Sequence, residues 1–222
     1  MGAKNEADKQ LLAMSEVSGA EGLEDWRVLV GALHTRFLTK RFATGLELVN
    51  RIGAAAEEAD HHPDIDLRYP HVNLKLVSHD VGGLTRRDVR MARRISEIAA
   101  DLGVRAAPHR VQAIEIALNT TDTGSVLPFW EAVLAGDASG DEVVDPGGAT
   151  PSMWFQGTDD VSPGAMRFHV DVTVPPDVAR DRIQAALDAG GTLVDESAAP
   201  AFWVLHDPQG NAACVCTSQG RD

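Results

Sequence analysis

Three histidines dominate the chemistry available to this sequence. They lie in the run from Glu57 to Thr85, EEADHHPDIDLRYPHVNLKLVSHDVGGLT, which sets His61 and His62 side by side and places His79 before a double glycine. Imidazole titrates near ~6.5, so it donates and accepts protons at neutral pH without elaborate tuning. The carboxylates Glu57 and Asp60 flank the pair and are able to orient an imidazole or hold an amide edge. A metal centre is the competing chemistry. It is disfavoured, because adjacent His61 and His62 do not easily reach one ion together, and no neighbouring cysteine or glutamate has the usual i, i+4 spacing. His34, His71 and His109 read as ordinary surface residues.

The elements that must position these side chains follow from periodicity. From Ala43 the period is helical, with Leu48, Ile52, Ala55 and Ala59 on one face, and Pro63 forces an end near Asp60. His61 and His62 thus fall at a helix C-terminus, where the dipole favours an imidazolium by a few tenths to ~1 kcal/mol. His71 to His79 alternates as a strand, with Val72, Leu74 and Leu76 inward and His79 outward. Thr85 and Asp88 form the signature of a capping box for a second helix, whose face Met91, Ile95, Ile98 and Leu102 ends at Gly103. Trp26 to Val30 and Ala32 to Phe42 read as a hairpin, and Leu67 to Tyr69 as a short strand. The order is β-β-α-β-β-α, an α+β fold with a four-stranded antiparallel sheet carrying two helices on one face. Residues 1–22 read as a polar lead-in with a short helix around Lys9 to Val17, residues 23–104 as this domain, and residues 105–110 as a linker.

Residues 111–222 follow a second pattern. Strands are expected at Val111 to Leu118, Val143 to Val144 and Met153 to Phe155, with a helix at Leu127 to Leu134. The series recurs as a strand at Arg167 to Val174, a helix at Asp177 to Ala189, and strands at Thr192 to Asp195, Phe202 to His206 and Ala212 to Cys216. This is a duplicated βαβββ module.

Charge and composition bound the function. The chain of 222 residues is 44% hydrophobic and 24% charged, so a buried core is expected. Its net charge of −13 is uneven: residues 1–104 hold 14 Lys and Arg against 16 Asp and Glu, leaving 6 of the 20 basic and 17 of the 33 acidic residues for the second part. No basic run is available there to neutralise phosphates, so nucleic acid is not expected as a partner. No apolar stretch approaches the ~20 residues of a membrane helix, the start MGAKNEADKQ lacks an apolar signal core, and a cytoplasmic protein without membrane contact is expected. The only cysteines, Cys214 and Cys216, give no disulfide framework. No phosphate loop, GxGxxG turn, GxSxG elbow or CxxC pair occurs.

The spacing A-E-x-x-D-H-H-P, then V-x-L-x-L, S-H and G-L-T-x-x-D, together with Trp26, resembles pterin-4a-carbinolamine dehydratase from about Leu23 to Leu102. Ser78 stands where that family usually has threonine. The resemblance implies dehydration of a 4a-hydroxytetrahydropterin to a quinonoid dihydropterin, which needs an acid and a base and no cofactor. It implies that His61 and His79 exchange protons, that His62 contacts substrate, and that Glu57, Asp60, Pro63 and Asp80 complete the binding set. It also implies a homodimer or homotetramer, for which the strand pair Ala32 to Phe42 is expected to offer an edge. A pterin-binding or other small-molecule-binding protein without catalysis is the alternative class.

The segments TTDTGSVLPFW (Thr120 to Trp130) and HDPQGNAACVC (His206 to Cys216) resemble the glyoxalase-like, or vicinal oxygen chelate, superfamily. Its metal-dependent members imply ligands at inward strand positions, here Glu115, His169 and Cys214 with no fourth donor, so divalent ions are expected to bind weakly if at all. Trp154 and Trp203 are expected to line a cavity, and Asp207, Pro208, Gly210 and Asn211 to form a turn.

Overall fold

The computed structural model describes residues 6–159, 167–206, 210 and 212–221. Asp207, Pro208 and Asn211 of the expected turn lie outside them. Contacts divide the chain into two units, one formed chiefly by residues up to Val111 and the other by Gln112–Val174 with Val178–Thr217. Among the described residues no helix is long and apolar enough to cross a membrane.

The first unit opens with a single 3-10 turn at Glu6–Lys9 and a short helix α1, Met14–Ser18. Ordered packing begins before Leu23: Val17 is buried, Leu12 and Met14 pack against the core, and the Leu12 amide donates to the Leu84 carbonyl. The spaced apolar residues Leu12, Met14, Val17 and Ala20 account for this. Strands β1 (Arg27–Leu29) and β2 (Ala32–Leu38) form the expected hairpin. Helix α2 runs Phe42–Ala59, strands β3 and β4 are Asp64–Arg68 and His71–Leu76, and helix α3 is Arg86–Asp101. The sheet order is β1-β2-β4-β3. Arg105–Ala106, inside the stretch expected to link two domains, forms a fifth short strand, β5, against Phe37 and Leu38 of β2.

This topology alters one expectation. β2 is flanked by β4 on one side and by β1 and β5 on the other, so it offers no edge for pairing with a second copy; the outer strands are β3, β1 and β5. β3 spans Asp64–Arg68 where Leu67 to Tyr69 was expected, because Ile65 and Leu67 alternate with Asp64, Asp66 and Arg68 while Tyr69 and Pro70 make the turn. Alternating positions of β2 and β4, Leu33, Phe37, Val72, Leu74 and Leu76, bury against Leu48, Ile52 and Ala56 of α2 and Met91, Ile95 and Ile98 of α3. In α2 the i, i+4, i+8 row ends on Ala56, which leaves Ala55 half-buried and Ala59 exposed.

The described strands of the second unit form one eight-stranded sheet. Its first module is β6 (Ala113–Thr120), α4 (Thr123–Leu134), β7 (Asp137–Ser139), β8 (Glu142–Val144) and β9 (Met153–Gly157). The second is β10 (Phe168–Thr173), α5 (Pro176–Asp188), β11 (Thr192–Asp195), β12 (Phe202–His206) and β13 (Ala212–Cys216). In each module the first strand pairs parallel with the last, and β6 joins β10 antiparallel, so the duplication read from the sequence is built into the sheet. Helix α4 begins earlier than expected because the Asp122 side chain accepts from the Ser125 amide at its N-terminus.

Candidate functional site

The last turn of α2 delivers the histidine pair. Asp60 takes the left-handed conformation (φ 48°), its amide donates to the Glu57 carbonyl and the His61 amide to the Ala56 carbonyl, the two bonds of a Schellman turn. That turn reverses the chain so that His61 points inward, 8% exposed, while His62 stays outside. Pro63 then starts the extended segment leading into β3.

His61 is held by a residue whose local role in the sequence is that of a helix cap. Its Nε2 lies 2.8 Å from Oδ1 of Asp88, which is fully buried. The other oxygen, Oδ2, accepts from the Ser78 hydroxyl at 2.7 Å and from the Thr85 amide at 2.8 Å, while the Thr85 hydroxyl accepts from the Arg87 amide at 3.1 Å. The capping box is therefore formed, and its carboxylate serves a second purpose. Burial alone would raise the Asp88 carboxyl, but the hydrogen bonds from His61, Ser78 and Thr85 outweigh it and hold the group below the usual carboxylate range. Asp88 is ionised at neutral pH, facing one imidazole.

The same network fixes where His79 stands. β4 ends at Leu76, short of the expected His79, because the Ser78 carbonyl accepts from the amides of Val81 and Gly82 in a tight turn. His79 and Asp80 occupy that turn, both exposed, and Ser78 ties it through Asp88 to His61. Asp80 receives two bonds from Arg87, at 2.6 and 3.3 Å, and these with Lys9 keep its carboxyl below the usual range. His62 pairs with Glu57 at 3.1 Å in solvent; Asp60 is exposed and Pro63 half-buried. Asp88, Ser78 and Arg87 are the residues that sequence reasoning missed as site components. The signals were Asp88 lying a capping-box spacing from Thr85 and the place of Ser78 and Asp88 in the family-like S-H and G-L-T-x-x-D stretches.

The second unit carries a separate cluster. One ligand atom each of His169, Asp171 and Cys214 lies within 4.8 Å of the others. Register explains it: Asp171 pairs with Cys214 across β10 and β13, and His169 is two residues along on the same face. Asp171 Oδ2 accepts from the Trp154 indole N–H at 3.1 Å; Oδ1 is buried without a hydrogen bond, 3.5 Å from His169 Nε2. The Trp154 ring meets His169 edge-on at 5.9 Å. Glu115 pairs with Asp171 in register but is not one of the three clustered donors. Trp203 does not share this site: it pairs with Val215 and packs with Ile183 and Leu205 against α5, on the opposite sheet face. An N, O and S donor set with an orphaned carboxylate oxygen fits a zinc-type ion, which would supply Lewis-acid chemistry when bound.

Comparison with known proteins parallels the division into two units. A family model for pterin 4 alpha carbinolamine dehydratase matches residues 8–98, and one for a glyoxalase-like domain matches residues 115–216. A relative from Mycolicibacterium smegmatis, named at family level for pterin-4-alpha-carbinolamine dehydratase, is 40% identical over 92 residues, covering 41% of this chain and 98% of the relative. The crystal structure of a transcriptional coactivator/pterin dehydratase from Brucella melitensis is 31% identical, covering 40% of this chain and 99% of that one, with a TM-score of 0.39. A glyoxalase/bleomycin resistance protein/dioxygenase superfamily member from Vibrio splendidus is 14% identical, covering 48% and 99%, with a TM-score of 0.34. With its β-β-α-β-β-α unit and its match to nearly the whole length of such a relative, the chain belongs through its N-terminal part to the pterin 4 alpha carbinolamine dehydratase family, and a glyoxalase-like domain follows.

Proposed function

We propose that the N-terminal unit dehydrates a 4a-hydroxytetrahydropterin to a quinonoid dihydropterin and water. The observation that carries this is the buried His61–Asp88 pair, joined through Ser78 to the turn that bears His79. In the reaction the C4a–O bond breaks and the hydroxyl leaves as water with a proton from one imidazole. The proton of the adjacent ring nitrogen passes to the other, and C4a and that nitrogen form the new double bond. His61 and His79 are the two groups, and the Asp88 carboxylate orients the His61 ring and opposes its positive charge when it holds the extra proton. His62, beside Glu57 on the outer side of the turn, contacts substrate. Stopped-flow turnover of 4a-hydroxytetrahydropterin by the full chain tests the reading: a rate at the uncatalysed level overturns it.

The His169, Asp171 and Cys214 cluster supports a second reading for the glyoxalase-like unit, a small-molecule site organised around a divalent ion. Trp154 would fix the Asp171 carboxylate from behind.

A further inference from the structure

We infer that the pterin taken by this chain carries an anionic side chain, ending in a carboxylate or a phosphate. The inference rests on the dehydratase reading and adds the substrate class. It starts from a cavity of about 320 Å³ against His61, between the end of α2 and the face of α3. Ala55, Ala59 and Met91 give it apolar surface, which suits the methylene substituent of a ring held at His61. The rest is cationic: Arg87, Arg90 and Arg94 line it, at i, i+3 and i+7 along one helix face, with Glu58 the one carboxylate in the wall.

That stripe is out of character for the molecule. The chain carries a net −13, yet α3 places five arginines, Arg86, Arg87, Arg90, Arg93 and Arg94, within nine residues, and the lone acid among them, Asp88, is committed to His61. The three cavity arginines differ in availability. Arg87 is 8% exposed and fixed by its two bonds to Asp80, so it serves as a rigid wall near the histidine. Arg90 pairs with Asp8 at 2.9 Å and Arg94 with Glu97 at 3.1 Å, both as exposed ion pairs. Such exposed pairs are weak and yield readily to a better anion. From Arg87 to Arg94 the helix rises about 10 Å, at ~1.5 Å per residue, so a ring at His61 places the end of its substituent among guanidinium groups. Guanidinium forks bind carboxylate and phosphate in the same bidentate way.

The test measures kcat/KM of the full chain for three 4a-hydroxytetrahydropterins whose side chains are a neutral methyl group, one ending in a carboxylate, and one ending in a phosphate. At low salt the better anionic substrate is expected to exceed the neutral one at least tenfold, with the ratio shrinking as ionic strength rises. The double substitution Arg90→Gln with Arg94→Gln should bring the ratio towards one, and Arg90→Lys with Arg94→Lys should restore most of it. Equal kcat/KM for neutral and anionic substrates, or a ratio indifferent to the double substitution, overturns the inference while leaving the dehydratase reading intact. If no pterin is turned over, that reading fails. Fluorescence titration with the corresponding dihydropterins then decides the inference alone, by whether an anionic side chain tightens binding in the parent and not in the double variant.

Discussion

His61 Nε2 stands 2.8 Å from Oδ1 of a carboxylate, Asp88, that has no exposed surface. Helix α3 thus holds the histidine that α2 presents, and a capping residue becomes part of the site. Asp88→Asn keeps the shape and removes the charge. We expect dehydration to fall about 10- to 100-fold, the scale of a lost orienting and charge-stabilising partner in acid/base catalysis. We also expect the pH profile of kcat/KM to move to lower pH, since the imidazolium form loses its ion-pair partner. A rate loss with an unmoved profile would leave Asp88 as an orienting group only, and an unchanged rate would assign it to capping alone.

The three histidines should separate kinetically. His61→Ala and His79→Ala are each expected to lower kcat by ~10²-fold or more. His62→Ala, which removes an exposed ring bonded to Glu57, should act chiefly on KM. Wild-type rates in both of the first two variants would sink the acid/base assignment.

Asp60 tests whether a residue acts through its backbone. Its φ of 48° lies in the left-handed region, which costs an ordinary residue roughly 1–2 kcal/mol and glycine almost nothing. Asp60→Gly should therefore match or exceed the parent in thermal stability, and Asp60→Ala should fall below it by about 1 kcal/mol. If both variants lose activity equally while Asp60→Gly folds normally, the carboxylate itself serves the substrate, as the family resemblance implies.

How far the sequence carried this picture depended on whether a feature is local. The helix ending before Pro63, the box at Thr85 and Asp88, and the two βαβββ modules each follow from a few neighbouring residues, and all are present. Asp88 as a partner of His61 was hidden, because capping already explains an acid at that position. Asp171 was hidden too: on β10 it reads as one polar residue between two valines, and only its register with Cys214 reveals the cluster. The same register turns Trp203 to the helix side, which composition could not decide. β5 and β7 escaped notice because they are short, with two and three residues and no buried alternation.

His34 gives the first unit a pH dependence outside the site. Burial in β2, with Lys75 opposite it on β4, pushes its pKa down to about 4. A free imidazole takes its proton near ~6.5, so between those values the unfolded chain binds a proton that the folded chain refuses. Stability is therefore complete above about 6.5, falls as pH drops towards 4, and loses nothing further from this group below that. The expected loss is on the order of 3 kcal/mol, since one pKa unit corresponds to ~1.4 kcal/mol. Urea unfolding of the parent and of His34→Gln at several pH values checks it: the variant should show a flatter dependence across this window, and parallel curves would refute the assignment.

The orphaned oxygen of Asp171 leads to the last prediction. A buried carboxylate oxygen without a hydrogen bond is costly unless a cation or a proton meets it, and His169 and Cys214 supply the further donors that a three-ligand zinc-type site uses. The sequence alone offered Glu115 as the oxygen donor; the sheet places Asp171 with the other two instead. Cobalt is a suitable probe because a thiolate ligand gives it an intense near-ultraviolet charge-transfer band. We expect the full chain to bind one Co²⁺ with that band, Cys214→Ser to abolish the band, and Asp171→Asn or His169→Ala to weaken binding at least tenfold. Glu115→Gln should change affinity far less. Trp154→Phe, which strips the N–H from the second Asp171 oxygen, should weaken the ion less than ligand loss, and without metal should cost about 1–3 kcal/mol in stability. Cobalt that binds without the thiolate band, or binds equally well to Asp171→Asn, would show that these three side chains are not the ligand set.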